Sequence, residues 1–140
     1  MNRFHPIVIF LICLWAFTAK AQLAVSVSPP KITAQKAIVS LTMTNYLAEP
    51  VKSARAICFL LDENGKMVGQ SAKWVIGGGK DRQPLQPKSG TTYNFVINSP
   101  RSIACTNLSA KVSFSRVVLE GGKQANPAKD VAVTTAQTSH

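Results

Sequence analysis

AIVSLTMTN, Ala37 to Asn45, is the stretch that decides the fold. Val39, Leu41 and Met43 fall on one face of an extended chain, and Ser40, Thr42 and Thr44 on the other. Successive side chains of a strand point to opposite sides, so alternation sustained over this length specifies a half-buried β-strand. The same reading extends in both directions. Leu23 to Ser28 alternates apolar and small polar residues and stops at Pro29-Pro30. Downstream, Asn45 to Pro50 supplies a turn, and Val51 to Leu61 is a third strand ending at Asp62-Glu63-Asn64-Gly65. Those four residues suit a tight hairpin, with the glycine taking a positive φ. Lys66 to Ile76 returns as a fourth strand carrying Met67, Val68, Trp74 and Val75. Thr91 to Asn98 places Tyr93, Phe95 and Ile97 on one side, and Ala110 to Leu119 closes the set with Val112, Phe114 and Val118. No stretch after Ala21 has the i, i+3, i+4 spacing of an amphipathic helix, so helix is expected only in the leader. Short strands punctuated by Gly, Pro and Asn predict an all-β fold, an antiparallel immunoglobulin-like sandwich of about seven strands. Without strand–helix alternation a parallel sheet is not expected, and a small barrel is the alternative closure.

The chain has 140 residues, room for one domain. A hydrophobic fraction of 46% excludes wholesale disorder. Its beginning reads as an address. Met1 to Ala21 (MNRFHPIVIFLICLWAFTAKA) has a basic start at Arg3, an unbroken apolar run from Ile7 to Phe17, and an Ala19-Lys20-Ala21 ending. These are the parts of a secretory signal peptide. The run makes about 16 Å of helix, against the roughly 30 Å of a bilayer core, so a permanent span is not expected. An uncleaved anchor and a buried helix are the other readings. Cys13 follows Ile12, and the apolar run continues past it, which does not fit a lipid-attachment cysteine. Cleavage after Ala21 then divides the chain into a signal peptide (1–21), a sandwich (22–122) and a flexible C-terminal tail (123–140). The tail contains Ala, Thr, Gln and Ser but no aromatic residue, although Val131-Ala132-Val133 could add an edge strand. The expected location is secreted or periplasmic.

Removing the leader leaves Cys58 and Cys105. In an oxidising compartment an even pair suggests a disulfide, worth about 4 kcal/mol in the chain-entropy model. The alternative is that Cys58 is a small apolar core residue and the pair is unbridged. A catalytic thiol is not expected, since no histidine is near to lower its pKa.

Ala56 to Gly69 (AICFLLDENGKMVG) resembles the middle of bacterial FxLYD-type immunoglobulin-like domains, where an apolar strand ends in Asp-x-x-Gly and the next opens with a Val-Gly step. Leu41 to Asn45 is similar to that family's strand ending in Asn before a tight turn. Leu85 to Gly90 (LQPKSG) is similar to its Leu-x-Pro-Gly approach to the next strand, and Val112 to Val117 to its closing strand. The resemblance spans residues 36 to 122 and departs at the naming motif, where Cys58 replaces the Phe and Leu61 the aromatic. Val25 to Lys31 (VSVSPPK) also resembles the opening strand of pilus-chaperone-like sandwiches, a family with two domains where this chain has room for one. Both likenesses imply a binding or structural accessory domain in the cell envelope, and neither brings catalytic residues.

The residues present exclude several chemistries. The two histidines are His5 and His140, near the chain ends, so a Ser/His/Asp centre has no base in the body. Gly77-Gly78-Gly79-Lys80 has a superficial likeness to a phosphate-binding loop. However, the pattern wants a glycine where Trp74 stands, Ser or Thr where Asp81 stands, and a following helix. The stretch reads instead as a flexible loop, and Gly77, Gly78, Gly79, Lys80 and Arg82 are its candidate binding residues. Asp62, Glu63 and Asn64 lack calcium-loop spacing and adjoin Lys66, which argues for a hairpin turn. The acids Glu49, Asp62, Glu63, Asp81, Glu120 and Asp130 are spread along the chain with no sign of a paired-carboxylate site. No enzyme, cofactor or metal is therefore expected. Asn107-Leu108-Ser109 fits a glycosylation sequon, which matters only in a eukaryotic secretory pathway.

Charge is the remaining lead. The chain carries 16 Lys+Arg against 6 Asp+Glu, a formal net charge of +10, and cleavage would remove only Arg3 and Lys20. Such a surface speeds encounters with anionic partners, an envelope polymer or glycan for example. Scattered cations also serve solubility and guard strand edges. Nucleic-acid binding is not expected, because strand alternation sends most of Tyr46, Phe59, Trp74, Tyr93, Phe95 and Phe114 into the core. The function expected is a binding or structural accessory role in the cell envelope, by surface recognition of an unknown protein or anionic polymer through the 77–84 loop or an exposed strand edge. The alternative is a basic adhesin-like domain binding anionic polymers.

Overall fold

The alternation read in Ala37 to Asn45 becomes alternate burial: Ala37, Val39, Leu41, Met43 and Asn45 are all fully buried. In the computed structural model, residues 21–98 and 107–135 are described, so the leader up to residue 20 and Cys105 lie outside them. The elements are β1 (Leu23–Val27), β2 (Lys31–Thr33), β3 (Lys36–Asn45), β4 (Val51–Leu61), β5 (Met67–Ile76), β6 (Gly90–Asn98), β7 (Ser109–Leu119), β8 (Gln124–Ala125), a helical turn α1 (Pro127–Asp130) and β9 (Val131–Thr135). They form two sheets stacked as an all-β sandwich.

In the first sheet β3 is central. β6 pairs with it antiparallel over Lys36↔Asn98 to Thr44↔Gly90, and β1 takes its other side over Leu23↔Asn45 to Val27↔Leu41. β2 continues along the same side of β3 as β1, from Lys31↔Ile38 to Thr33↔Lys36. The break between β1 and β2 is Ser28-Pro29-Pro30, where proline has no N–H for the ladder. Ser28 bridges the gap: its N–H donates to the Ser40 carbonyl at 2.9 Å, and its Oγ accepts from the Ser40 N–H at 2.9 Å. The second sheet runs β5-β4-β7-β8, with β4 antiparallel to both β5 and β7. Register shifts interrupt the β4–β7 ladder between Val51 and Ser53 and between Arg55 and Ala56. Such bulges increase local twist and turn side chains to new directions.

The core lies between the sheets. Leu23, Val25, Leu41 and Phe95 come from one, and Cys58, Leu60, Val112 and Phe114 from the other. Cys58 is one of these buried residues and forms no disulfide among the described residues; burial pushes its thiol up to about 11.

Two expectations change. The stretch expected to be a flexible tail (123–140) is instead built into the sandwich over residues 124–135. β8 pairs with Val117 and Val118 of β7, and β9 pairs in parallel with β1, from Leu23↔Val131 to Val27↔Thr135. Helix also occurs outside the leader. Asn126 caps α1 by accepting the Ala128 N–H at 3.0 Å, and Pro127 stands in the first turn, where its missing N–H does no harm. A cap and a proline suffice for a single turn too short to show a helical period.

Candidate functional site

The loop between β5 and β6 holds the sequence-derived candidates, and its glycines serve close packing. Gly77 is buried with φ +61, and a Cβ there would run into the Lys52 carbonyl oxygen. Gly78, at φ +81, lies against Trp74, so that a Cβ would come within 2.6 Å of the Trp74 Cβ and Cγ. These positions need glycine both for the left-handed backbone and for the approach. The far side of the loop is held as well. Arg82 donates from Nη1 to the Trp74 carbonyl at 2.5 Å, and the Arg82 N–H donates to the Gly79 carbonyl at 3.3 Å. The loop expected to be flexible is tied to β4 and β5 at Gly77, Gly78 and Arg82. Lys80 is exposed at its tip, and the chain continues into Leu85, which exchanges backbone hydrogen bonds with Val51 at 2.9 Å each way.

Arg82 stands between two clefts. The larger, about 530 Å³, has an apolar floor of Val75, Ile76 and Leu85. Its rim is polar, with Arg82, Gln83, Gln86, Ser89, Thr91, Thr92 and Tyr93. The smaller, about 300 Å³, lies between the glycine loop and the start of β4, lined by Lys52, Ser53, Trp74, Gly77 to Gly79, Arg82 and Pro84. The Arg82 guanidinium sits 5.6 Å from the Tyr93 ring centroid, and Tyr93 meets Phe95 edge-on at 5.2 Å and 76°. Cation–π contact and the edge-on pair fix both side chains at the mouth of the cleft. A guanidinium has five N–H donors, so after its bond to Trp74 Arg82 has donors left for an acceptor in either cleft. Gly77, Gly78, Gly79 and Arg82 are thus brought together, while Lys80 lines neither cleft.

Sequence reasoning did not find the opposite wall. Gln86 and Ser89 stand in the LQPKSG stretch, read only as an approach to the next strand; they line the cleft with Arg82 because Asn45 holds the 85–89 segment in place. Fully buried, Asn45 donates from Nδ2 to the carbonyls of Glu49 (3.0 Å) and Leu85 (2.9 Å), and its Oδ1 accepts the Leu47 N–H at 2.9 Å. Its backbone takes part too, donating to the Ser89 carbonyl at 3.0 Å and accepting the Lys88 N–H at 2.6 Å. The sequence signal was present in an asparagine on the apolar face of a strand.

The acids take other places. Asp62 organises the β4–β5 hairpin, its Oδ1 accepting the N–H groups of Asn64 and Lys66 at 2.9 Å each. None of the six acids lines either cleft beside Arg82. Among the described residues no group of three or more His, Cys, Asp or Glu is placed to hold a metal ion, and no helix is long and apolar enough to cross a membrane. The strands themselves contain no acid at all. Folding also gathers cations that are dispersed in sequence. On the outer face of the second sheet Arg55 lies directly opposite Arg116, with Trp74 on its other side, and Lys111 lies opposite Phe59.

No family model matches this chain, and no curated protein does. Among solved structures, the fold is similar to that of a Bordetella pertussis protein assigned the name ApaA, with a TM-score of 0.52 and 17% sequence identity over 74% of this chain and 85% of that one. At that identity the likeness is one of fold alone.

Proposed function

We propose that this chain is an exported accessory domain of the cell envelope, periplasmic or secreted, that recognises a protein partner at the clefts flanking Arg82. One observation carries the reading: a cation with spare donors is held between two clefts by a loop whose glycines fit only when packed against β4 and Trp74. Such pre-organisation supports binding because little side-chain freedom is lost on contact. The cleft chemistry supports recognition rather than turnover. It offers neutral hydrogen-bonding groups and one guanidinium over an apolar floor, with neither an acid nor a thiol. The leader at Met1 to Ala21 supports export. The test is a pull-down from the native envelope using the parent chain beside Arg82→Ala and, as control, Lys36→Ala at the end of β3 away from the clefts. A partner retained by parent and control and lost with Arg82→Ala supports the reading; equal recovery by all three refutes it.

A second reading, binding of anionic envelope polymers, is favoured by the opposed Arg55 and Arg116 with Lys111 on the same face. Like charges set directly across a strand pair are destabilising, and a bound anion would relieve them. Retention on lipopolysaccharide or an anionic resin above about 0.15 M salt, lost in Arg55→Ala with Arg116→Ala, favours it; release below that salt rejects it.

A further inference from the structure

Over most of its length β7 is a strand edge with no strand paired to its outer side among the described residues. β7 is paired to β4 along its whole length, but among the described residues its other side has strand partners only at Val117 and Val118. The chain that begins to cover this edge, β8, leaves it after two residues, and α1 carries it across to β1. Ser109 to Arg116 is left as an open edge, and between it and β9 lies a groove of about 430 Å³. Val112, Phe114, Val131 and Val133 line it, with the α1 residues Pro127 and Ala128 along one wall. Val133 stands in register with the buried Val25, on the inward side of its sheet, yet is 39% exposed. Among the described residues nothing covers it fully. Strand edges are usually blunted by a lysine, a proline, a bulge or a covering element, and among the described residues Ser109 to Ser113 has only Lys111.

Cations outnumber acids around the slot. Lys111 and Arg116 are exposed on β7 and Lys129 is exposed on α1. The one acid on α1, Asp130, is engaged, its Oδ2 accepting the Asn126 N–H at 2.8 Å.

We propose that this slot accepts one extended strand of a partner protein, a segment in which apolar and acidic side chains alternate, added to β7 by main-chain hydrogen bonds. Adjacent strands lie about 4.8 Å apart and their side chains alternate between faces. One set of partner side chains would therefore descend onto Val112, Phe114, Val131 and Val133. The other set would emerge on the outer face of the second sheet beside Lys111 and Arg116, where a carboxylate is the favoured neighbour. Backbone pairing supplies affinity, and the alternation supplies specificity. This site is distinct from the Arg82 clefts and does not depend on them.

The probe is a labelled octapeptide alternating Glu and Val, titrated into the chain and followed by fluorescence anisotropy, with amide exchange as the second readout. Binding with slowed exchange over residues 109–116 is expected. Two N-methylated copies, one blocked at every Val and one at every Glu, separate edge pairing from simple charge attraction: one copy should lose binding and the other keep it. Val133→Asp and Lys129→Glu should each weaken binding about tenfold, a factor equivalent to 1.4 kcal/mol, while Lys36→Glu leaves it unchanged. The proposal is overturned by no binding at millimolar peptide, by equal binding of both methylated copies, or by equal binding of an octapeptide alternating Lys and Val. A peptide-free dimer already protected over 109–116 also overturns it, since a second copy of the chain would then hold the edge.

Discussion

Replacing Asn45 tests whether one buried amide holds both the sandwich corner and the cleft wall. Its side chain makes three hydrogen bonds, to Glu49, Leu85 and Leu47, at full burial. In Asn45→Ala the Leu85 carbonyl keeps the Val51 N–H, but among the described bonds the Glu49 carbonyl and Leu47 N–H lose their side-chain partner. At about 1 kcal/mol net per bond the loss is roughly 3 kcal/mol, a large share of a small domain's stability. With a urea slope of about 1.3 kcal/mol per molar, the midpoint falls by about 2 M at unchanged slope. Asn45→Asp separates hydrogen bonding from shape, because the carboxylate fills the same space but turns a lone pair toward two carbonyl oxygens. At pH 7 it should be at least as damaging as alanine. Those carbonyls and the burial favour the neutral acid, which raises its folded-state pKa above the unfolded value. The protonated form is then the stabilising one, so the deficit of Asn45→Asp against the parent should shrink as pH falls toward 4. A loss under about 1 kcal/mol for alanine would refute the reasoning. So would an aspartate variant as stable as the parent at pH 7, or a deficit that grows on acidification.

Three further outcomes follow from single sites. The Cys58 thiol, raised from 9.0 to about 11 by burial, ionises first in the unfolded chain, so stability is intact below pH 9 and falls as pH rises toward 11. The fall is about 2 kcal/mol by linkage, read as the difference between the parent and Cys58→Ala in urea melts across that range. No difference, together with a mass gain on reduction, would show a bridged sulfur instead. Gly77→Ala meets both a left-handed backbone and the Lys52 carbonyl, and should lower Tm by more than about 10 °C. Gly79→Ala, whose Cβ would find only Arg82 carbons at 3.9 Å, should leave Tm nearly unchanged, and equal effects would contradict the packing argument. Arg116→Glu replaces the repulsion across from Arg55 with attraction and should raise stability by about 0.5 kcal/mol, an effect removed by high salt. A lower Tm in this variant would count against it.

The strands were legible because their signal is local. β3, β4 and β7 alternate, and Asp62 to Gly65 and Pro29-Pro30 mark where they end, so each could be placed within a residue or so of its observed bounds. The site was legible only in part, because its determinants are relations between distant segments. A run of three glycines reads as freedom when the neighbours are unknown. Beside Lys52 and Trp74 the first two become the residues that allow the chain closest to its partners. The opposed arginines could not be read at all: 61 positions separate Arg55 from Arg116, and only the strand register, bulge included, sets them face to face.

The C-terminal stretch, in which only Val131-Ala132-Val133 read as a candidate edge strand, otherwise went unread for a physical reason that bears on what the protein binds. A strand two residues long and a helical turn of four fall below the length at which a period shows, and Val131 to Thr135 (VAVTT) has no polar residue between its valines. Their stability comes from what they lie against, with Asn126 and Asp130 closing the turn and β1 supplying the ladder. The same interruption decides the surface. Had residues 124–135 run straight, they would have covered β7 and left β1 as an edge. By changing sheets at Pro127 they cover β1, bury Leu23 and Val25 completely or nearly so, and leave the first half of β7 open above Val112 and Phe114. An insertion that straightened this turn would then exchange one edge for the other, exposing β1 while closing the groove.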